Sequence, residues 1–383
     1  MRVGIFTNNF LPIRGGVTAA VQTLSDVLRA LGHRVWIFAP RFPGFSADGP
    51  AVYRYPSIPA LAYPEFSLAI PRSRRLARVI RELDPEIFHA QHPFFLGATA
   101  FRLARRLDRP LVFTYHTHYE KYAHYVPFHQ GLVERIAVRW SARFADRSNL
   151  VIAPSEAVRG ALRTRGVTAP IEVVPTGVPL ELFTPGARDR ARAALGLPPD
   201  DPVLLYVGRL DREKSVELLL DAFALVADVL PQARFLLVGQ GRETGRLKAR
   251  ARRLAARDRV GFAGVQPREA LPDYYRAADL FWFASQTETQ GLVLAEAHAC
   301  ALPAVAVEAP GAAEIMRDGA TGLLVKAEAR ALAEAALGLL LDQPARQAMG
   351  ARAREVATQH FDARRQGQRV AELYARVLGG RAW

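Results

Sequence analysis

Short apolar runs alternate with longer amphipathic stretches along most of this chain. Runs of four to eight residues rich in Val, Ile, Leu and Phe are typical of buried strands. In the first half of the chain the strand candidates are RVGIF (2–6), RVWIFA (34–39), EIFHA (86–90), PLVFTYH (110–116), LVIAP (150–154) and IEVVP (171–175). In the second half they are PVLLYVG (202–208), RFLLVG (234–239), RVGFAG (259–264), DLFWFAS (279–285) and PAVAV (303–307). The alternation predicts an α/β protein with two doubly wound, Rossmann-like domains.

Residues 175–187, PTGVPLELFTPGA, interrupt this alternation. They are rich in proline and glycine and have no helical period, which is typical of an interdomain linker. A chain of 383 residues is also too long for one ordinary core. We therefore expect a first domain over 1–180 and a second over 187–361, with a ligand at the carboxyl ends of the strands, in the cleft that the domains face. The tail from residue 344 is predicted to be helical.

The chain is basic, with a formal net charge of +14. Residues 1–180 carry 23 basic and 12 acidic side chains, whereas residues 181–383 carry 28 and 25, so the excess lies in the first half. An excess of positive charge favours a polyanionic partner such as nucleic acid or an acidic bilayer. A general bias toward arginine is the alternative explanation of the charge, since the chain has only four lysines. Because no nucleic-acid-binding motif is present, we expect no nucleic-acid partner, and a non-enzymatic polyanion-binding protein stays a distant alternative.

A single cysteine, Cys300, excludes an intrachain disulfide and a cysteine-cluster metal site, which fits a reducing compartment. The apolar part of the start, MRVGIFTNNF, is too short for a signal peptide. No later run approaches the length of uncharged apolar sequence that spans a bilayer. We therefore expect a cytoplasmic protein, and a peripheral position on a membrane stays open.

Glycine, arginine and lysine follow the ends of predicted strands. Gly15 and Gly16 lie at the mouth of a helix, where backbone N–H groups can approach a phosphate, and a structural turn is the alternative. The absence of G-x-G-x-x-G argues against a nicotinamide dehydrogenase. In the second half, VGRLDREK brings Arg209 and Lys214 to the carboxyl edge of a sheet, where a diphosphate would lie. An ordinary exposed pair at a helix start is the alternative for these two cations.

Two glutamates lie eight positions apart in SQTETQGLVLAEAH, residues 285–298. Glu288 is predicted on the loop after a buried strand, and Glu296 on the helix that follows. Carboxylates accept hydrogen bonds from vicinal hydroxyls, such as those of a sugar ring or a ribose, while a helix N-terminus at Gly291 can receive an anion. Hydroxyls and a diphosphate together indicate a nucleotide sugar.

These motifs together resemble the retaining family 4 glycosyltransferases of the GT-B fold. The resemblance rests on the glycine pair, GHRVWIFAP (32–40), GR followed by Lys214, E-x7-E at Glu288 and Glu296, and AADLFWFAS (277–285). It implies these contacts: Glu288 with sugar hydroxyls, Glu296 with the ribose, Arg209 and Lys214 with the diphosphate, and Gly15, Gly16, Gly239 and Gly291 with the donor. It also implies that a C-terminal helix, 362–378, crosses back onto the first domain. Ala301 stands where the family usually has glycine, which leaves the local helix end in question.

The resemblance implies a mechanism as well. Retention without an obvious nucleophile indicates front-face attack, in which the departing phosphate takes the proton of the acceptor. The protein then supplies electrostatic stabilisation of the leaving diphosphate, through Arg209 and Lys214. No metal cofactor is required, and Mg²⁺ is expected at most to stimulate. Closure of the domains around the donor would exclude water.

The acceptor is expected at TYHTHYEKYAHYVP, residues 114–127. Its histidines His116, His118 and His124 would form a metal site if they converged, but no patterned carboxylate lies nearby in the sequence. The stretch resembles the corresponding loop of bacterial diacylglycerol glucosyltransferases, as does ETQG, in which many relatives have phenylalanine in place of Gln290. By that resemblance His116 lies near the donor sugar and bonds its hydroxyls, and a purely structural His116 is the alternative. The residues assigned to the acceptor are His118, Tyr119 and Tyr122.

We therefore expect transfer of a hexose, with glucose favoured, from a UDP-sugar to a membrane lipid such as diacylglycerol, giving an α-linked glycolipid. A phosphatidylinositol or a soluble sugar is the alternative acceptor. Residue patterns alone do not choose among glucose, galactose and mannose.

Two stretches of the first half, 71–83 and 132–147, predict basic amphipathic helices. Like charges four residues apart destabilise a helix, and anionic phospholipid head groups on the inner face of the cell membrane would offset them. We expect the apolar faces to pack on the domain's own sheet, with shallow insertion helped by residues 63–71. Solvated helix faces in an arginine-biased chain are the alternative. The arginines assigned to the membrane surface are Arg74, Arg78, Arg81, Arg135 and Arg139.

Overall fold

In the computed structural model the described residues are 1–45, 49–60, 63–117 and 130–380, and they form two compact units. Unit 1 comprises Met1–Gly177 and Ala363–Trp383, and unit 2 comprises Val178–Asp362. No helix within these described ranges has the length and apolar character needed to cross a membrane.

Unit 1 contains a parallel sheet and a short antiparallel pair. Its strands are β1 Arg2–Phe6, β2 Arg34–Pro40, β3 Val52–Tyr55, β4 Ser57–Ala60, β5 Tyr63–Ala69, β6 Ile87–Ala90, β7 Leu111–Thr114, β8 Leu150–Ala153 and β9 Ile171–Val173. Its helices before the chain enters unit 2 are α1 Gly16–Ala30, α2 Arg74–Leu83, α3 Leu96–Arg106, α4 Gln130–Asp146 and α5 Glu156–Thr164. The parallel sheet has the order β3-β2-β1-β6-β7-β8-β9, and β4 pairs with β5.

Helices cover both faces of this sheet because alternate strand residues point to opposite sides. On one face Phe6 and Phe38 pack with apolar residues of α2, α3, α4 and α5. On the other face Val3 and Ile5 pack with α1 and with the C-terminal helix. The basic helices α2 to α5 therefore share one side of the sheet.

Unit 2 has the same architecture. Its strands are β10 Val203–Val207, β11 Arg234–Val238, β12 Val260–Gly264, β13 Leu280–Phe283, β14 Ala304–Val307 and β15 Gly322–Val325. Its helices are α6 Arg188–Ala194, α7 Val216–Val229, α8 Thr244–Ala251, α9 Leu271–Ala277, α10 Leu292–Ala299, α11 Pro310–Ala313, α12 Ala329–Leu341 and α13 Gln343–His360. The strand order is β12-β11-β10-β13-β14-β15, and each pair of neighbouring strands is parallel. A last helix, α14 Ala363–Leu378, belongs to unit 1.

Alternate residues of β10 show how the two faces of this sheet are filled. Leu204 and Tyr206 pack with α7, α8 and α12, whereas Leu205 and Val207 pack with α9, α10 and α13. All five residues of β10 are buried, which explains the unbroken apolar run in the sequence.

All eleven strands predicted from the sequence are present, each within two residues of its expected bounds, and the predicted α/β class is confirmed. Four further strands, β3, β4, β5 and β15, were not predicted from the sequence. The expected linker at 175–187 contains no helix, but it is not a loose connection, since Val178 and Phe183 are fully buried in the core of unit 2.

The expectation for the apolar faces of the basic helices is correct for α2 and wrong for half of α4. In α2, Leu76 and Ile80 are buried. In α4, Phe144 packs against the sheet, but Ile136 and Trp140 are 56% and 49% exposed. The reason is that only the second half of α4 lies over the strands' apolar residues. The first half presents an apolar row to solvent.

Candidate active site

The site in unit 2 is built from two loops at one edge of the sheet. Strands β10 and β13 are adjacent and parallel, so the segments that follow them meet. The first segment carries Arg209 and Lys214, and the second carries Glu288. The structure thus brings these three predicted residues to one place, with Glu288 on a loop and Glu296 on α10, as expected.

Arg209 is held by two carboxylates. Its Nη1 donates to Asp211 Oδ2, and its Nη2 donates to Glu213 Oε1 at 2.6 Å. The side chain of Arg209 is 28% exposed, whereas those of Asp211 and Glu213 are almost fully buried. Charge-assisted bonds of this kind fix the orientation of a guanidinium. Both carboxylates were missed from the sequence, although they lie in the quoted VGRLDREK segment.

Lys214 is paired with Glu288. The ammonium Nζ donates to Glu288 Oε1, which also accepts from Ser285 Oγ at 3.3 Å. Tyr206, near the end of β10, donates a hydrogen bond from its hydroxyl to the carbonyl oxygen of Arg209 at 2.7 Å. Burial, and then the negative charge of Glu288, raise the pKa of Tyr206 well above its ordinary value. Tyr206 therefore stays a neutral donor, and the two cations face carboxylates.

Two glycines allow close backbone approach at this edge. Gly239, after β11, has a φ of +133°, and a Cβ there would lie 1.9 Å from the carbonyl oxygen of Gly208. A Cβ at Gly311 would lie 2.6 Å from Cβ of Glu288, so Gly311 packs directly against the glutamate loop. Only glycine fits these positions. Gly239 thus has a backbone role, and its contact with a donor stays a prediction.

Helix α10 positions Glu296 below the loop. Gly291 caps the helix, and its N–H donates to the carbonyl oxygen of Gly311 at 3.1 Å. Glu296 is 4% exposed and accepts a hydrogen bond from the hydroxyl of Tyr275 at 2.9 Å. Burial raises the pKa of Glu296, and Arg268 and the Tyr275 hydrogen bond oppose that shift. Tyr275 and Arg268 are thus functional candidates that the sequence did not single out.

Three of the residues predicted to contact the donor, Gly15, Gly16 and His116, lie in unit 1. Gly15 and Gly16 begin α1 and are exposed, with no atom within 4 Å of a Cβ built at either glycine. His116 follows β7, and its Nε2–H donates to Gln91 Oε1 at 2.6 Å. Burial lowers the pKa of His116 to about 4, so its imidazole is neutral at physiological pH.

The remaining predicted residues divide into two sets. His118, Tyr119, Tyr122 and the metal candidate His124 lie outside the described residues. Arg74, Arg78, Arg81, Arg135 and Arg139 are exposed on α2 and α4. Within the described ranges no group of three or more His, Cys, Asp or Glu side chains is arranged to hold a metal ion.

Comparison with known proteins agrees with this architecture. The family model for Glycosyltransferase Family 4 matches residues 14–182, and that for Glycosyl transferases group 1 matches residues 187–356. An alpha-monoglucosyldiacylglycerol synthase of Streptococcus pneumoniae is 31% identical over 98% of this chain and 85% of its own length. A GDP-mannose-dependent alpha-mannosyltransferase of Mycobacterium tuberculosis is 30% identical over 85% of this chain and 84% of its own length.

Among solved structures, the sucrose-phosphate synthase of Thermosynechococcus elongatus superposes with a TM-score of 0.85. It is 26% identical, and the match covers 99% of both chains. The two family models match segments in both units, and the structural likeness extends along nearly the whole chain. This chain belongs to the family 4 glycosyltransferases of the GT-B fold.

Proposed function

We propose that this chain is a retaining hexosyltransferase that moves glucose from UDP-glucose to a membrane lipid such as diacylglycerol, giving an α-linked glycolipid. The observation that carries the proposal is the charge cluster of unit 2, in which Arg209 and Lys214 are held by carboxylates at the carboxyl edge of the sheet. The choice of sugar and lipid is supported by the similarity to the alpha-monoglucosyldiacylglycerol synthase, which extends over 98% of the chain.

In this proposal the cluster binds and stabilises a diphosphate. A bound diphosphate replaces Glu288 as the partner of Lys214, and the released carboxylate accepts hydrogen bonds from the sugar hydroxyls. As the bond between the sugar and the phosphate breaks, charge develops on the leaving oxygen, where Arg209 and Lys214 stabilise it. Cations that are already oriented by the fold lose little freedom when the substrate arrives.

Retention follows from attack on the same face as the leaving group. The acceptor hydroxyl gives its proton to the departing phosphate oxygen, so the protein supplies no strong base. The low pKa of His116 suits this scheme because the imidazole is neutral. It can orient a hydroxyl by a hydrogen bond, and it does not compete with Arg209 and Lys214 for the negative charge of the diphosphate. No metal ion takes part, and Mg²⁺ would at most stimulate by screening the diphosphate.

A lipid acceptor is supported by the surface of unit 1. Helices α2, α3 and α4 lie on one side of the sheet and present many exposed arginines, among them Arg74, Arg78, Arg81, Arg102, Arg105, Arg106, Arg135 and Arg139. Anionic head groups attract such a surface at about 1 kcal/mol per basic residue near the membrane. We therefore propose a peripheral position on the inner face of the cell membrane.

The second candidate is a mannosyltransferase that uses GDP-mannose and a phosphatidylinositol or soluble acceptor. It is supported by the 30% identity to the GDP-mannose-dependent alpha-mannosyltransferase, which is nearly equal to that of the glucosyltransferase relative. The cluster at Arg209 and Lys214 serves either nucleotide, because both carry a diphosphate.

One experiment decides between these candidates. The purified chain is incubated with radiolabelled UDP-glucose, UDP-galactose or GDP-mannose, each with vesicles that contain diacylglycerol or phosphatidylinositol, or with soluble sugars. We expect a glycolipid from UDP-glucose and diacylglycerol alone, with an α-anomeric signal in its NMR spectrum. Glu288→Gln serves as the inactive control, and Glu334→Gln, at an exposed side chain of α12, as the active one. A product from GDP-mannose only, or a β-linked product, would overturn the proposal.

A further inference from the structure

A small cavity of about 50 Å³ lies beside His116 within unit 1. Its walls come from α1, from the ends of β6 and β7, from residues 174–177 and from the start of α14. A volume of this size holds a few water molecules or a group of similar size, such as a hydroxymethyl. The polar residues that line it are Thr23, Gln91, Thr114, His116, Thr176 and Gln366.

Gln91 connects this cavity to His116. Its side chain is 2% exposed, and its Oε1 accepts the Nε2–H of His116 at 2.6 Å. The other end of the amide, Nε2, is buried without a hydrogen-bond partner in the described structure. A buried amide nitrogen without a partner is costly, so its presence beside a cavity points to a ligand that accepts hydrogen bonds there.

The chemistry of the cavity selects a neutral ligand. None of its lining residues is Asp, Glu, Lys or Arg. The titratable groups around His116 are neutral as well, since burial lowers the pKa values of His89 and His92 to about 3. Both ring nitrogens of His89 have partners: the Tyr374 hydroxyl lies 2.6 Å from Nδ1, and Thr114 Oγ1 lies 2.7 Å from Nε2. A phosphate would lose its hydration here without gaining a cation, whereas a hydroxyl both accepts and donates.

We propose that Gln91 is a positioning and specificity residue that binds a substrate hydroxyl in this cavity. Its carbonyl oxygen holds His116 as the Nε2–H tautomer, which makes Nδ1 the hydrogen-bond acceptor of the ring. Its amide nitrogen donates to an uncharged hydroxyl of either the acceptor or the donor sugar. This proposal rests on the proposed function only for the identity of the substrates, because the tautomer and the neutral cavity belong to the protein itself.

The first test compares Gln91→Leu with the wild type in steady-state kinetics. Leucine has a similar volume but neither holds His116 nor donates a hydrogen bond. We expect the KM of one substrate to rise by roughly 5- to 100-fold, as for a lost buried hydrogen bond. A rise for diacylglycerol places the acceptor hydroxyl in the cavity. A rise for UDP-glucose, with weaker binding of UDP-glucose and unchanged binding of UDP by calorimetry, places the sugar hydroxyl there.

A matched control is Gln22→Leu, which makes the same exchange at a half-buried residue of α1 that does not line the cavity. It should leave both KM values unchanged. Equal KM values for the wild type and Gln91→Leu would overturn the proposal, as would equal effects of the two Gln→Leu exchanges.

The second test needs no substrate and therefore separates this proposal from the proposed function. Nitrogen NMR of the full chain, with the His116 signals identified by their loss in His116→Gln, should show the Nε2–H tautomer. In Gln91→Glu the new carboxylate favours the imidazolium, so the pKa of His116 should rise from about 4 towards neutrality. An Nδ1–H tautomer in the wild type, or an unchanged His116 pKa in Gln91→Glu, would contradict the proposal even if the enzyme made the expected glycolipid.

Discussion

The ammonium of Lys214 donates a hydrogen bond to a carboxylate oxygen of Glu288, which joins the segment after β10 to the loop after β13. The side chains are only 10% and 23% exposed, so the pair is largely shielded from solvent. Removing one member of such a pair takes away an opposite charge from a partly buried one, which is more costly than exchanging both members. Single substitutions here therefore change the electrostatics of the whole cluster.

Substitutions of Glu288 and Glu296 should differ in their effect on UDP affinity. Glu288→Ala should abolish turnover while leaving UDP affinity unchanged or slightly higher, because Lys214 is then released to meet the diphosphate. Glu296→Ala should weaken UDP itself by about 1 to 3 kcal/mol, if a buried ribose hydroxyl loses its partner. Isothermal titration calorimetry with UDP on both variants measures the difference. Equal UDP affinities for the two variants would refute the assignment of sugar to one glutamate and ribose to the other.

Lys214 is expected to act in the transition state. Lys214→Ala should lower kcat by roughly 10²-fold or more, as for other lost donors to a developing charge. Lys214→Arg should restore little of it, because a planar guanidinium cannot follow the moving phosphate as a compact ammonium does. Steady-state kinetics with saturating UDP-glucose gives the answer. A rise in KM at unchanged kcat would place the lysine in ground-state binding instead.

Much of this site was predictable, since parallel strands bring their carboxyl ends to one edge and the motifs sit just beyond those ends. The pairing within the cluster was not. The sequence places Asp211, Glu213 and Lys214 within a few residues of Arg209, and only side-chain geometry shows that Arg209 takes the two neighbouring carboxylates while Lys214 takes Glu288. Gln91 and His116 follow adjacent strands, so strand order would have brought them together had Gln91 been considered.

Glu296 should make the stability of the protein depend on pH. Its pKa is raised by burial, so the folded state holds its proton at pH values where the unfolded state has lost it. Stability from this residue is present at low pH and is lost as pH rises from about 4.3 through the folded pKa. Glu296→Gln keeps an oxygen to accept from Tyr275 and removes the charge. Urea unfolding should show a stability advantage for Glu296→Gln that is larger at pH 8 than at pH 5.

The control for this prediction is Glu334→Gln on α12, where the carboxylate is 63% exposed. Its difference from the wild type should stay small and change little between the two pH values. If the advantage of Glu296→Gln were constant or shrank with rising pH, the carboxylate would be charged throughout the folded state.

Ala301 should be a site where glycine stabilises. It follows the end of α10 with a φ of +59°, and the bonds from Ala301 N to His298 O and from Leu302 N to Ala297 O, both 2.9 Å, form a Schellman motif. The left-handed conformation costs alanine roughly 1 to 2 kcal/mol in the folded state. Glycine removes this cost, but part of the gain is offset because the unfolded chain with glycine has more conformational entropy to lose on folding. Ala301→Gly should therefore raise the free energy of unfolding by about 0.5 to 1 kcal/mol.

A matched exchange tests the reason for that gain. Ala348 is exposed in the interior of α13, where glycine lowers helix stability by about 1 kcal/mol. Chemical denaturation of Ala301→Gly and Ala348→Gly should thus give changes of opposite sign. Changes of the same sign would show that the strain at Ala301 is not what sets its contribution.

Two of the four strands that were not predicted share a physical reason. Strands β3 and β4 are short and only partly buried, so they lack the long apolar run by which the buried strands were found.

In α4 the periodic pattern correctly predicted a helix with an apolar face, but periodicity does not show what covers that face. Ile136 and Trp140 share the spacing of Phe144 and yet are exposed, because helix and sheet overlap along only part of the helix.

Unit 1 should bind anionic membranes through both its positive charge and the exposed apolar row of α4. Leu132, Ile136 and Trp140 are about half exposed or more and recur every fourth residue, beside the exposed Arg135 and Arg139. Vesicle sedimentation should show binding that requires anionic lipid and weakens at high salt, because salt screens the arginines. Arg74, Arg78 and Arg81 changed together to Gln should reduce this binding strongly.

The control for the arginine variant changes the exposed Arg252, Arg253 and Arg257 of unit 2 together to Gln, and it should bind the vesicles normally. Ile136→Gln should lower the binding that remains at high salt, because that part depends on apolar insertion. Equal binding to neutral and anionic vesicles, no binding to either, or equal losses in the two arginine triples would refute docking through this surface.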